Sequence, residues 1–175
     1  MEITREQLLD VMPTAKNRVD LYLANLNYFG KGFCINTPQR WAHYLAQIAH
    51  ESCELKYTKE LASGKAYEGR KDLGNTKNGD GMRYKGRGLI QITGKANYEK
   101  YKAFCGYDVV LHPELLEKPF GAVKSSMWYW LKHDLNTLAD KDDLKGITKV
   151  INGGLNGYED RKKYLIRAKK TLKIL

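Results

Sequence analysis

The spacing of apolar and polar positions along the chain predicts a mainly helical protein. A capping box formed by Thr4 and Gln7 opens the first helix, and Pro13 ends it. Thr14 is expected to cap a second helix, because threonine side chains commonly accept hydrogen bonds from the first amides of a helix. The glycines of Gly30–Gly32 are expected to end this second helix in a turn.

The third predicted helix has the strongest start signal in the chain. Thr37 is followed by Pro38, which matches an N-cap residue and the first helical position. The stripe that this helix would bury contains Trp41, Tyr44, Leu45, Ile48 and Ser52. Later helices are predicted around Asn97–Phe104, Phe120–Leu131, Asp143–Ile151 and Glu159–Lys173.

Glycines interrupt the segment between these two groups of helices. Residues 63–88 are therefore predicted to form loops and a small hairpin, with Asn78-Gly79 as a turn. The following segment, Leu89–Thr93, is predicted to be a short strand. Its alternation would place Gln91 and Thr93 on one face and its isoleucines on the other. Because long irregular segments in compact domains are usually functional, the search for a site centres here.

With 175 residues, the chain is long enough for one domain. We expect a single domain over residues 1–175, with a helical lobe at 1–62 and 95–175 and a glycine-rich lobe at about 63–94. No apolar run approaches the roughly 20 residues of a membrane-spanning helix. The first residues lack the basic and apolar pattern of a secretory signal. Three cysteines without a CxxC pair indicate free thiols rather than a disulfide framework or a zinc site.

The charge of the chain narrows the classes of partner. Thirty Lys and Arg residues against twenty Asp and Glu residues give a net charge of +10. A polyanion is therefore favoured: nucleic acid, an anionic membrane or a cell-wall polymer. The predicted C-terminal helix carries seven basic residues against Glu159 and Asp160, so weak contact with an anionic membrane is one interpretation. The preferred interpretation is that this helix packs on the core and exposes a basic face to solvent.

Glu51 is the best candidate for acid–base chemistry. It lies at the edge of the apolar stripe of the third helix, whereas Glu54 is expected further round, toward solvent. A carboxyl group at the rim of an apolar face is partly desolvated, which favours its protonated form and suits a general acid. A boundary glutamate with no catalytic role is the alternative.

Glycoside hydrolysis needs a second carboxylate, and Glu60 and Glu68 are available. Nine residues separate Glu51 from Glu60, so a continuous helix would place them on opposite faces and the chain would have to bend between them. Other motifs fail. Gly86-x-Gly88 lacks the third glycine of a dinucleotide loop, and Glu54 replaces the second histidine of a zinc-protease motif.

Five segments, in this order, resemble glycoside hydrolase family 19, the chitinase-like family. They are Leu45–Ser52, Ala66–Asn75, Gly79–Gly81, Tyr84–Gly94 and Ile151–Gly154. Within that family the chain is similar to the single-domain endolysins of phages that infect Gram-negative bacteria. The resemblance implies a lysozyme-like fold, mainly α with some β structure, in which a helical bundle faces a small β-hairpin lobe across a cleft. It also implies hydrolysis of the β-1,4 bond between N-acetylmuramic acid and N-acetylglucosamine.

The resemblance also implies roles for individual residues. Glu51 matches the general acid, and Glu60 matches the second carboxylate, with Glu68 as the alternative. The implied mechanism is a single displacement with inversion, which uses no metal and no organic cofactor. The residues implied to bind sugar, position water or line the site are Tyr84, Arg87, Gln91, Thr93 and Asn152, of which Tyr84 and Arg87 could instead be scaffold residues. Cys53 and Met82 depart from the family pattern, which commonly has glycine and an aromatic residue there.

Three alternative functions remain open at this point: a chitinase, a lytic transglycosylase that needs one carboxylate, and a basic nucleic-acid-binding module. The last rests on charge alone, and no nucleic-acid-binding motif accompanies it. The partner that the resemblance implies is the peptidoglycan glycan rather than nucleic acid, and the expected state is a monomer. We expect synthesis in the host cytoplasm and action on the periplasmic wall after the membrane has been permeabilised.

Overall fold

The computed structural model describes all 175 residues, which form two compact units. The first unit consists of residues 1–56 and 127–175, and the second of residues 57–126. No helix is long and apolar enough to cross a membrane. The helices are α1 (Arg5–Val11), α2 (Arg18–Gly32), α3 (Pro38–Glu51), α4 (Asp80–Arg83), α5 (Lys95–Cys105), α6 (Pro119–Lys132), α7 (Leu135–Asp140), α8 (Leu144–Asn152) and α9 (Tyr158–Thr171).

Helix α3 forms the centre of the first unit. Its residues from Trp41 to Ala49 are all buried, and α1, α7 and α9 pack around it. The ring of Tyr44 meets the ring of Trp130 edge to face, with 5.4 Å between the ring centroids. Burial of large aromatic side chains contributes about 1.5–3 kcal/mol each, so this helix anchors the unit and fixes where its last residue, Glu51, is placed.

The local start signals of the first and third helices are confirmed. Thr4 and Gln7 form the complete capping box of α1. The side chain of Thr37 accepts a hydrogen bond from the amide of Arg40, and Pro38 is the first residue of α3. Both signals depend only on residues within one helical turn, which explains why the sequence suffices to read them.

Two predictions about α2 are wrong. Thr14 does not cap this helix, which begins at Arg18; the amide and hydroxyl of Thr14 donate instead to Glu54. Gly30–Gly32 do not form a turn either, because α2 continues to Gly32. Gly30 is a packing position, since a side-chain carbon there would overlap the ring of Trp41.

The second unit contains little regular structure apart from α4, α5 and the start of α6. The mainly helical fold is confirmed, but the expected hairpin is reduced to isolated antiparallel bridges, Lys59 with Arg87 and Arg87 with Ile92. Residues 88–91 form a turn, in which Gln91 adopts a left-handed backbone with φ of 58°, and Ile92 makes only the single bridge, so the predicted strand is absent. Ile90 and Ile92 are buried while Gln91 and Thr93 are half-buried, as the alternation predicts, but Leu89, which should share the face of Gln91, is also buried.

Candidate active site

Glu51 is the last residue of α3, and local hydrogen bonds end the helix directly after it. The hydroxyl of Ser52 donates to the backbone oxygen of Ile48 at 2.5 Å and accepts from the amide of Leu55 at 2.8 Å. Serine therefore diverts the backbone pattern that would continue the helix. The side chain of Glu51 keeps 17% of its surface exposed, so its carboxylate is accessible at the end of a buried helix.

A buried arginine holds the Glu51 carboxylate. Arg161, in the first turn of α9, is fully buried and donates from Nη2 to Oε1 of Glu51 at 2.5 Å. It also donates from Nη1 to Oε1 of Gln47 at 2.6 Å, one helical turn earlier on α3. The structure gives Oε2 of Glu51 no hydrogen bond. One oxygen is thus fixed by the protein, and the other has no protein partner.

A second pair lies beside this one. His50 contacts the carboxylate of Asp160 at 2.7 Å, so the last two residues of α3 pair with two consecutive residues of α9. Gly157, the residue before α9, has φ of 73° and sits against the imidazole ring of His50. A side chain at Gly157 would overlap that ring, and the left-handed backbone also favours glycine there. The start of α9 is therefore built to approach Glu51 closely.

Glu54 was expected to face solvent, and this prediction is wrong. Only 5% of its surface is exposed. One carboxylate oxygen accepts from the amide and the hydroxyl of Thr14, each at 2.6 Å, and the other accepts from the phenol of Tyr164 at 3.0 Å. Burial, with a smaller contribution from this hydrogen bond, raises the pKa of the Tyr164 phenol.

The backbone explains why helical extrapolation failed at Glu54. Cys53, Glu54 and Leu55 are three consecutive non-glycine residues with left-handed backbones, with φ of 50°, 55° and 65°. Such conformations cost of order 1–3 kcal/mol each in the most strained cases. Glu54 has three partner residues, Thr14, Tyr164 and Arg18, the last of which donates to its backbone oxygen, and together they hold this turn in place. The chain thus reverses directly behind the candidate acid.

In the second unit, Glu60 is held by a phenol and a backbone amide. Tyr67 donates to Oε1 at 3.0 Å, and the amide of Gly86 donates to Oε2 at 3.0 Å. The amide of Glu60 returns a bond to the backbone oxygen of Gly86. Burial and the hydrogen bond to Glu60 raise the pKa of the Tyr67 phenol.

Gly86 also brings Glu60 next to Gln91. A side-chain carbon at Gly86 would lie 2.7 Å from Oε1 of Gln91 and 3.2 Å from Oε2 of Glu60. Gln91 itself donates to the backbone oxygen of Gly88, and Thr93 donates to the backbone oxygen of Gln91. The structure therefore groups Glu60, Gln91 and Thr93, three of the residues predicted from the sequence.

Glu68 has a different environment from Glu60. Its two oxygens accept from the amides of Gly79 and Met82, at 3.1 and 3.2 Å. Both bonds clamp the turn that starts α4. Glu68 therefore supports the backbone of its loop, whereas Glu60 sits beside the amide side chain of Gln91.

Tyr84 and Arg87, named as lining or scaffold residues, are both buried. The Tyr84 ring packs on the ring of Tyr98 at 5.3 Å. Arg87 donates to Glu117 at 2.7 Å and to the hydroxyl of Tyr98 at 3.0 Å, and burial raises the pKa of that hydroxyl to about 12. These contacts make both residues part of the frame of the second unit, so their assignment to substrate binding stays a prediction.

Asn152 is the exposed last residue of α8, in the first unit. Gly153 follows it with φ of 76°, the left-handed cap that commonly ends a helix. The side chain of Asn152 is accessible at this capped helix end, and the role of Asn152 in sugar binding also stays a prediction.

Sequence reasoning missed Arg161, Gln47 and Tyr67. One signal for Arg161 was present: it stands four residues before Leu165, in line with the buried stripe of α9. A charge on an apolar stripe needs a partner. The partners, Gln47 and Glu51, are one helical turn apart on α3, but the sequence alone does not show that these two helices pack together.

The comparisons with known proteins agree on one family. The profile described as Chitinase class I, of glycoside hydrolase family 19, matches residues 28–147. A glycosyl hydrolase family 19 domain-containing protein of Haemophilus influenzae is 34% identical over 163 aligned positions, covering 75% of this chain and 78% of that protein. An endochitinase of Arabidopsis thaliana is 36% identical over 115 positions, covering 65% of this chain and only 38% of its own length.

Solved structures confirm the fold. Chitinase C from Streptomyces griseus matches with a TM-score of 0.77 at 20% identity, covering 98% of this chain and 92% of that one. A bacterial family 19 chitinase matches with the same TM-score at 22% identity, covering 99% and 96%. The predicted lysozyme-like, mainly helical architecture is thus confirmed.

Proposed function

Since the chain belongs to glycoside hydrolase family 19 and is a glycoside hydrolase, we propose that it cleaves peptidoglycan. The bond is the β-1,4 linkage between N-acetylmuramic acid and N-acetylglucosamine, and its cleavage lyses the cell. The observation that supports this polymer over chitin is the net charge of +10. Peptidoglycan carries carboxylates on its stem peptides, whereas chitin is neutral, so only the former attracts a strongly basic enzyme over long range.

The proposed mechanism is a single displacement with inversion at the sugar carbon. Glu51 donates a proton from Oε2 to the leaving oxygen while the bond from that oxygen to the sugar breaks. Arg161 fixes Oε1 and so orients the donating oxygen. Glu60 takes a proton from a water molecule that attacks the opposite face of the sugar, and Gln91, beside it, positions that water. The mechanism requires about 6.5–9.5 Å between the carboxyl groups.

Chitin hydrolysis is the second candidate. It uses the same two carboxylates and the same β-1,4 bond, and it is favoured by the relatives in Arabidopsis thaliana and Nicotiana tabacum that are named as endochitinases. A lytic transglycosylase is the third. It would need Glu51 alone, which makes Glu60 the residue that separates hydrolysis from transglycosylation.

One product analysis tests all three. Purified Gram-negative sacculi and a chitin hexamer are digested in parallel, and the products are identified by mass spectrometry and by proton NMR in the first minutes. We expect muropeptides with intact, inverted reducing ends from sacculi and slow turnover of the hexamer. Anhydromuramic ends would show that the enzyme is a lytic transglycosylase and not a hydrolase. Faster turnover of the hexamer than of sacculi would show that it is a chitinase. Glu51→Gln is the inactive control.

We further propose that the enzyme reaches the wall only after a membrane has been permeabilised. The turbidity of cells that express the protein in their cytoplasm should stay constant until the inner membrane is permeabilised with chloroform, and should then fall. Lysis of the expressing cells without permeabilisation would contradict this route.

A further inference from the structure

An apolar pocket opens on the second unit, away from the residues of the proposed mechanism. Its volume is about 300 Å³, at the lower end of the range of about 300–1,000 Å³ for small-molecule sites. It shares no residue with the group formed by Glu60, Gly86 and Gln91. The residues around it are Tyr101, Cys105, Tyr107, Val109, Leu115, Leu116, Lys118, Phe120 and Gly121.

The pocket is part of the architecture of this unit rather than a gap between loose loops. Gly121 lies in the first turn of α6, and a side chain there would overlap the backbone oxygen of Leu115. Glycine thus lets α6 pack directly against the segment that carries Leu115 and Leu116. Leu116 is almost completely buried and anchors that segment.

Aromatic rings stand at the mouth of the pocket. Tyr107 is 51% exposed and Phe120 is 43% exposed, and their rings meet edge to face at 6.1 Å. Phe104, also exposed, packs its ring against Tyr101 at 6.4 Å. We call the three aromatic residues Phe104, Tyr107 and Phe120, together with the neighbouring exposed Leu115, the aromatic rim. A cluster of exposed apolar side chains around a pocket is typical of an interaction site.

Positive charge accompanies the aromatic rim. Lys118 is exposed at the pocket and forms no ion pair. Lys124 is half-buried, and its Nζ donates to the backbone oxygen of Cys105 at 3.3 Å and lies 5.2 Å from the Tyr107 ring and 5.8 Å from the Phe120 ring. The acidic residues of this segment already have cationic or histidine partners. These pairs are Asp108 with Lys102, Glu114 with His112, and Glu117 with Arg87.

We propose that the aromatic rim, with Lys118 and Lys124, docks the enzyme on an anionic lipid bilayer and that the pocket receives the end of one acyl chain. Exposed tyrosine and phenylalanine rings with neighbouring lysines suit the membrane interface, where rings reach the acyl region and ammonium groups meet lipid phosphates. The pocket walls are almost entirely apolar, which matches a hydrocarbon chain. A sugar ring would need hydrogen-bond partners for its hydroxyl groups, and the pocket supplies few.

This surface differs from the basic α9 that the sequence suggested for membrane contact. Leu165 and Ala168 of α9 are buried, and two of its cations, Arg161 and Lys169, pair with Glu51 and Asp142. That helix therefore serves the core of the first unit, whereas the aromatic rim stays exposed.

The test is vesicle sedimentation with the full chain. The probes are vesicles of phosphatidylcholine alone and vesicles of phosphatidylcholine that contain about 30 mol% phosphatidylglycerol. The second kind has an anionic surface. We expect binding to the anionic vesicles only. Tyr107→Ser combined with Phe120→Ser should weaken it about tenfold or more. The matched control is Leu21→Ser with Tyr28→Ser, which removes two exposed apolar side chains from α2 and should leave binding unchanged.

A charge-matched pair tests the role of the lysines. Lys118→Gln and Lys163→Gln each remove one exposed charge, the first at the pocket and the second on α9. Lys118→Gln should weaken binding about fivefold, and Lys163→Gln should have a much smaller effect. Equal effects of the two variants would show that net charge alone drives binding, which would overturn the proposal.

A gain of signal keeps the test independent of folding defects. Tyr107→Trp places an indole in the aromatic rim, and its emission should shift to the blue on anionic vesicles and shift back when decanoate competes for the pocket. If the Tyr107→Trp variant binds the vesicles but its emission does not shift, the protein contacts the membrane through another surface. Binding of the rim to sacculi, lost in the Tyr107→Ser, Phe120→Ser variant while vesicle binding persists, would make the surface a glycan site instead.

Discussion

Arg161 of α9 donates to Glu51, the last residue of α3, through a hydrogen bond of 2.5 Å. The arginine is fully buried, and its second donor reaches Gln47 on the same helix. The candidate catalytic carboxylate is therefore also part of the contact between α9 and α3, beside the pair formed by His50 and Asp160. Loss of the Glu51 or the Arg161 side chain should affect both stability and activity, and the two effects can be measured separately.

Replacing Arg161 by methionine should destabilise the protein by about 3–5 kcal/mol, because the carboxylate of Glu51 would be left without its cation in a partly buried position. Urea denaturation measures this loss. Lys162→Met, at an exposed neighbouring position, is the control and should change stability by less than about 0.5 kcal/mol. Adding Glu51→Met to Arg161→Met should recover part of the loss. A cost below about 1 kcal/mol for Arg161→Met would show that the ion pair does not hold the helices.

Glu51→Gln should lower kcat by about 10²–10⁴-fold and should also lower the melting temperature, because the fully buried Arg161 loses its anionic partner. The amide keeps the size of the side chain and an oxygen that can accept from Arg161, but it has no proton to transfer to the leaving group. Initial rates on sacculi and a thermal melt of the same sample check the two halves of this prediction. A variant with most of its activity would remove Glu51 from the mechanism.

Glu60→Gln and Glu68→Gln should have opposite effects. The first should abolish most activity and leave stability nearly unchanged, because it removes the proposed base. The second should cost about 1–3 kcal/mol in stability and little activity, since its amide group would face one of the two backbone amides that Glu68 now accepts from. Initial rates on sacculi and the midpoints of urea denaturation, measured for both variants, test this prediction. If Glu68→Gln is inactive and Glu60→Gln is active, Glu68 is the base.

His43 should make stability depend on pH below neutrality. Burial lowers the pKa of this fully buried histidine below 6.5, although its hydrogen bond with Asp142 opposes the shift. The unfolded chain then binds a proton at a pH where the folded chain does not, so the free energy of unfolding falls as the pH drops below about 6.5. Gln39 and Lys169 also contact Asp142.

The measurement is the urea midpoint at pH 7.5 and 5.5. Wild type should lose stability between them, and His43→Gln should lose less, because glutamine does not titrate and can still donate to Asp142. His133, whose pKa burial also lowers, is present in both proteins and contributes equally. Identical slopes in wild type and His43→Gln would refute the assignment.

Salt should weaken binding to the wall more than it slows the chemical step. Exposed charges are screened beyond about 10 Å at 0.1 M salt and beyond about 3 Å at 1 M, whereas the carboxylates act at short range. KM on sacculi should therefore rise with ionic strength while kcat changes little, and a short neutral glycan should show almost no salt effect. Equal salt sensitivity for both substrates would mean that the charge of +10 acts on the fold or the site instead of steering the enzyme.

Several features of the fold follow from the sequence alone. The capping box of Thr4 and the Thr37-Pro38 start of α3 depend on neighbouring residues, so each could be identified without knowing the rest of the chain. Helical periodicity also identified buried positions of α3, but the structure buries every residue from Trp41 to Ala49, because α1, α7 and α9 all pack on this helix. The family resemblance, carried by ordered segments such as Tyr84–Gly94, indicated the fold that the solved relatives confirm.

Contacts between residues far apart in the sequence were decided only by the tertiary structure. Thr14 and Glu54 are forty positions apart, and their pairing turned an expected helix cap and an expected surface carboxylate into one buried hydrogen-bond cluster. Arg161 and Glu51 are 110 positions apart. Periodicity reports which face of a helix is apolar but not which helix will cover it. For this reason the sequence could nominate Glu51, whereas only the packing of α9 on α3 decided which residue holds it.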